Sequence, residues 1–155
     1  MSTPKTLLVG AFLLFSSSTL DAQWLARFNS QLPLWADSAL VQSGFWARYD
    51  LSSRTSPQIA IGDLDGDGLW DLAVSIVDRH GRRRGIAIVN RIDRSVHVVG
   101  AGQPVGNGRD ELPSTASWAV DELTWYRAGV RVVAWHSSAW IVWNGRTYVW
   151  VQDTD

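Results

Sequence analysis

The stretch "IAIGDLDGDGLWDLAV", residues 59–74, decides how this chain is read. Asp63, Asp65, Asp67 and Asp71 fall within nine residues, and β-like apolar runs flank them on both sides. With Asp63 as position 1, carboxylates occupy positions 1, 3, 5 and 9. Gly68 stands at position 6 and the carbonyl of Leu69 at position 7. That is the ligand order of an EF-hand loop through its ninth position. Alternate side chains point toward one centre, and the glycine permits the sharp turn that brings the position 7 carbonyl round. Four carboxylates this close repel one another, and a hard divalent cation relieves the repulsion. Oxygen-only ligation favours calcium over zinc or copper, and magnesium demands a tighter octahedral shell.

The loop departs from an EF-hand at one decisive place. Position 12, where a bidentate Glu belongs, is Val74, and the flanks read as strands rather than helices. Asp71 must then complete the shell directly or through water. A plain polar turn needs a single Asp-Gly pair, so turn geometry alone leaves Asp63, Asp65 and Asp71 unexplained.

Outward from the loop the period stays at two. "FWARYDL", "PQIAIGD", "DLAVSIVD", "GIAIVNRI" and "SVHVVGAG" read as strands joined by short links, which favours antiparallel neighbours. Leu72, Val74 and Ile76 alternate with Ala73, Ser75 and Val77, giving one bulky core-like face and one smaller face. Arg82 to Arg84 fall at a hairpin tip and read as a solvated turn. Upstream, the i,i+4 pairs Trp35/Ala39 and Ala36/Leu40, followed by Gly44, predict a helix near residues 33–43.

Residues 101–117 are rich in Gly, Pro and small polar residues and read as a long surface loop. "WAVDELTWYRAG" after it suggests a short helical turn. Asn144-Gly145 predicts a two-residue hairpin turn that sets Ile141 against Tyr148 and Ala139 against Trp150 on one face, with Trp140 against Val149 on the other.

The fold class expected is therefore mainly β: a small antiparallel domain, sandwich-like or blade-like, with one or two short helices. The N-terminal "MSTPKTLLVGAFLLFSSSTLDA" carries Lys5, an apolar run from Leu7 to Phe15 and then small residues. It reads as a signal peptide over 1–22, cleaved after Ala22 or, alternatively, after Ser18. The apolar run is well short of the roughly 20 residues that span a bilayer. A single β-rich domain over 23–155 should follow, exported to the periplasm or beyond, with no transmembrane segment in the mature chain. The absence of cysteine removes disulfides and thiolate metal sites. The net charge of -1 argues against a nucleic-acid partner.

"IAIGDLDGDGLWDLAV" also resembles the calcium loop of FG-GAP and VCBS-type repeats, the Asp-X-Asp-X-Asp-Gly-X-X-Asp hairpins of β-propeller blades such as those of integrin α chains. The resemblance covers roughly residues 57–90. It implies calcium ligands at Asp63, Asp65, Asp67 and Asp71 with the Leu69 carbonyl, and a stabilising role for the ion. The pattern occurs once, so a closed propeller of several blades cannot be built from this chain.

Ten tryptophans offer a second candidate. Trp140, Trp143, Tyr148 and Trp150 could stack on a carbohydrate or cell-envelope component, or could fill the core in place of leucine. Catalytic patterns are sparse: His80, His97 and His136 are scattered. The acids Asp110 with Glu111 and Asp121 with Glu122 are the residues a secreted hydrolase would use, as a third reading.

Overall fold

A computed structural model describes residues 32–80, 82–124, 127–134 and 137–153; the expected signal segment 1–22 lies outside them. The described residues form helix α1 (Leu34–Gln42) and a 3₁₀ turn (Phe45–Ala47), then nine strands. These are β1 (Tyr49–Leu51), β2 (Ile59–Gly62), β3 (Asp71–Asp78), β4 (Arg84–Val89) and β5 (Val96–Gly100). They continue with β6 (Ser117–Thr124), β7 (Arg127–Ala134), β8 (Ser137–Trp143) and β9 (Tyr148–Gln152). All pairings are antiparallel. The first sheet runs β1-β3-β4-β5, with β2 pairing the early half of β3 and β1 its late half; the second runs β6-β7-β8-β9. Among the described residues no helix is long and apolar enough to cross a membrane.

The fold has three layers. One core lies between the sheets and gathers Ala73, Ile86, Ile88, Val130, Val132 and Ile141. The other lies between the first sheet and α1 and gathers Ala36, Leu40, Leu72, Val74, Ile76 and Val89. β3 is therefore buried on both faces, the small-residue face included. Register explains how it packs. Ala73 sits opposite Ile88, Ser75 opposite Ile86, and Val74 opposite Ala87, so small residues of one strand meet large ones of the next on each face. Ser75 has a polar task as well: its Oγ accepts the Trp118 indole N–H at 2.7 Å and donates to the Pro57 carbonyl at 3.0 Å. That pair ties β6 to β3 across the core.

Helix α1 ends as expected, with Gly44 at φ 70° just beyond it. Four expectations change, the first being "FWARYDL": Phe45–Ala47 form the 3₁₀ turn and only Tyr49–Leu51 the strand. "WAVDELTWYRAG" holds strand ends rather than a helical turn: Trp118 and Val120 face the core while Ala119 is exposed, and that period-two burial outweighs the local helix propensity of Glu122 and Leu123. The loop over 101–116 is not wholly superficial, because Val105 and Leu112 drop into the inter-sheet core. The β8–β9 turn holds four residues rather than two. Asn144 Oδ1 accepts the N–H groups of Arg146 and Thr147, and the Asn144 N–H donates to the Thr147 carbonyl. Ile141 consequently faces Trp150, and Trp143 faces Tyr148. The register moves by two residues, an even number, so every side chain keeps its expected face.

Candidate metal centre

Gly62 pairs with Asp71 where β2 and β3 meet the loop, which fixes both ends of the aspartate segment on adjacent strands. Inside it, aspartate side chains fold the backbone. Asp63 accepts from the Gly66 N–H at 2.8 Å and the Gly68 N–H at 3.0 Å. Asp65 accepts from the Asp67 N–H at 3.0 Å, and Asp67 from the Leu69 N–H at 2.7 Å. Gly68 takes φ 86°, the left-handed conformation its place in the motif requires.

The result is a convergence of Asp63, Asp65 and Asp71, whose carboxylate oxygens lie within 4.8 Å of one another. Asp67 lies outside this trio, and its carboxylate accepts the Leu69 N–H. The Leu69 side chain is exposed, as is the neighbouring Trp70.

Asp71 is the most constrained of the group. It is fully buried and accepts three backbone N–H groups: Leu64 at 2.8 Å and Asp65 at 3.2 Å on Oδ2, and Arg91 at 2.8 Å on Oδ1. Burial pushes its carboxyl up to about 6, against the pull of those N–H donors. Asp65 is also raised, by burial first and then by the charges of Asp67 and Asp63. Among the described residues none of the four aspartates has a cationic side-chain partner. Like charges gathered in a partly desolvated site without a counter-charge are the condition that a bound cation relieves, and the donors are hard oxygens. The residues present therefore fit a metal ion.

The loop reaches beyond its own hairpin. The Ala128 N–H on β7 donates to the Asp63 carbonyl at 2.8 Å. Next to Arg91, buried Asn90 accepts from the Tyr148 hydroxyl at 2.8 Å, a bond across 58 residues of sequence. Burial chiefly, then the charges of Asp71 and Asp65, hold the Tyr148 hydroxyl protonated far above its ordinary range. His97 packs edge-on to Trp143 and Tyr148, at 5.2 and 5.3 Å, and burial lowers its imidazole. Sequence reasoning missed Asn90 as a support. Its one signal is a polar residue in the apolar run "GIAIVN".

The aromatic candidates separate. Trp143, Tyr148 and Trp150 face or pack on the inter-sheet core, whereas Trp140 lies on the outer face with the Arg131 guanidinium 5.8 Å from its ring. They do not share one surface. Of the catalytic candidates, Asp110 pairs with Arg83 at 2.6 Å, His80 is exposed, and His136 lies outside the described residues. Asp121 and Glu122 are consecutive on β6, so they point to opposite faces. Comparison with protein families, with curated proteins and with solved structures finds no match for this chain.

Proposed function

We propose that this is an exported calcium-binding β protein of non-catalytic role, in which the ion organises the 63–71 loop. The observation that carries the reading is the convergence of Asp63, Asp65 and Asp71 without a cationic partner. The register of the motif and its resemblance to FG-GAP and VCBS-type loops support calcium as the ion, with Asp67 and the Leu69 carbonyl as further ligands. Because the loop also bonds to β7 through Ala128, and Arg91 beside Asn90 bonds Asp71, the ion would brace the junction of the two sheets as well as the β2–β3 hairpin. Extracellular calcium is plentiful, so an affinity on the order of 10⁻⁴ to 10⁻³ M suffices. Thermal melts with calcium and with chelator test this directly: calcium raises the melting temperature, and equal melts refute it.

A second reading, a carbohydrate or cell-envelope binding module, is favoured by one feature. A cavity of about 250 Å³ beneath the 101–116 loop is lined by Trp150 together with Asn107, Arg109 and Gln152, a ring system beside hydrogen-bonding groups. Quenching of tryptophan fluorescence across a glycan panel tests it, and a flat response removes it.

A further inference from the structure

The arginines of the β3–β4 turn take no part in the metal reading. They sit at the other end of the eight-residue β3, roughly 23 Å from Asp71 at the rise of an extended strand. Register builds a site there. Asp50 on β1 pairs with Val77 on β3, and Val77 with Arg84 on β4, so these three side chains stand in one row on one face of the sheet. The chain leaving β1 curls back, with the Arg54 N–H donating to Ser52 Oγ at 3.3 Å. Arg82 joins the lining at φ 58°, a left-handed conformation that is costly for a side-chain-bearing residue. A pocket of about 260 Å³ results, lined by Asp50, Ser52, Ser53, Arg54, Arg82 and Arg84.

Its charge is unbalanced in a specific way. Asp50, the single acid of the lining, is occupied by Arg79, whose Nε and Nη2 both reach Oδ1, at 2.9 and 2.8 Å. Arg83 is likewise matched, by Asp78 and Asp110, each at 2.6 Å. Arg54, Arg82 and Arg84 have no acidic partner among the described residues, and Arg84 spends only Nη1, on the Ser114 carbonyl at 2.6 Å. The fold thus supplies dedicated aspartates to two arginines of this region and leaves the three that line the pocket unmatched. In a chain of net charge -1 this is a local concentration, set against the acidic loop at the opposite end of β3.

We propose that this pocket is an oxyanion site that takes the phosphate group of a phosphomonoester. A carboxylate offers two oxygens in one plane, which a single guanidinium fork satisfies. Three guanidiniums with two serine hydroxyls suit a tetrahedral dianion with three free oxygens. The volume lies below the range that encloses a drug-sized ligand, so the site grips the head group and leaves the remainder of the ester in solvent. The proposal does not depend on the calcium reading.

The test is calorimetric titration of the full chain, in calcium-containing buffer of low ionic strength, with phenyl phosphate, phenyl sulfate and benzoate. These probes share one ring and differ in the anionic head. Phenyl phosphate should bind at least about tenfold more tightly than benzoate, with sulfate between them and affinity falling as salt rises. Arg54→Ala and Arg82→Ala alter exposed side chains, so they keep the fold and should each weaken phenyl phosphate about tenfold or more. Arg131→Ala, on the outer face of the second sheet, should leave it unchanged. Absence of phenyl phosphate binding, equal binding of benzoate, or full affinity in the Arg54→Ala and Arg82→Ala variants would overturn the proposal.

Discussion

Replacing Asp71 with asparagine should make the metal-free protein no less stable and the calcium-loaded protein less stable, by about 1 to 3 kcal/mol. Asp71 is fully buried, and burial raises its carboxyl from 3.8 to about 6. At pH 7 the metal-free fold must therefore hold an ionised group that the unfolded chain ionises more easily, a cost of about 3 kcal/mol. Asparagine removes that cost. It keeps one acceptor oxygen for the Leu64 and Asp65 N–H groups but turns an amide donor toward the Arg91 N–H, which costs about 1 to 3 kcal/mol. The two effects largely cancel, leaving the variant equal to the wild type or up to about 2 kcal/mol more stable in chelator. With calcium at 100 times its dissociation constant, the wild type gains about 2.7 kcal/mol, roughly 10 °C in melting temperature, and the variant gains little. Melts by circular dichroism in chelator and in excess calcium read both comparisons. Should Asp71→Asn melt far below the wild type in chelator yet keep the full calcium shift, Asp71 would be a purely structural acceptor and the metal reasoning would fail.

Three further outcomes follow from the same geometry. Asp65→Ala should abolish the calcium shift, whereas Asp67→Ala, outside the carboxylate trio, should weaken calcium by a smaller factor; calorimetry of the two variants separates them. The calcium-induced rise in melting temperature should grow between pH 5 and pH 7. With its folded value raised above 3.8, Asp71 keeps its proton up to about pH 6. The metal-free fold therefore loses stability as pH rises through that window, and calcium displaces fewer protons above it. Tyr148→Phe strands the Asn90 oxygen in the core, since no other donor to it exists among the described residues. It should cost about 1 to 3 kcal/mol by denaturant melts, with the β8–β9 hairpin otherwise intact.

What was legible in the sequence was what depends on local spacing. The i,i+4 pairs and Gly44 mark α1, alternation marks β3 and β4, and the register of the four aspartates includes Asp63, Asp65 and Asp71, the three that converge. What was not legible depends on partners far along the chain. Alternation in β3 shows two faces of different bulk, but that both are buried follows only from α1 on one side and the second sheet on the other. β6 carries acids at Asp121 and Glu122 that mask its period of two, and the packing of Trp118 against Ser75 decides the matter. Asn144-Gly145 marks a turn but not its length, because the Asn144 side chain caps two N–H groups instead of one. Tyr148 looks like a ligand platform in a run of aromatics. Its hydroxyl is instead committed to Asn90, beside the backbone that holds Asp71, and no spacing rule announces that.

Calorimetric titration of the metal-free protein with calcium decides whether the 63–71 loop holds an ion. One calcium ion per chain should bind at submillimolar to millimolar affinity, with magnesium far weaker and the heat lost in Asp65→Ala. Binding of no calcium, or calcium binding unchanged in Asp65→Ala, would contradict the calcium reading.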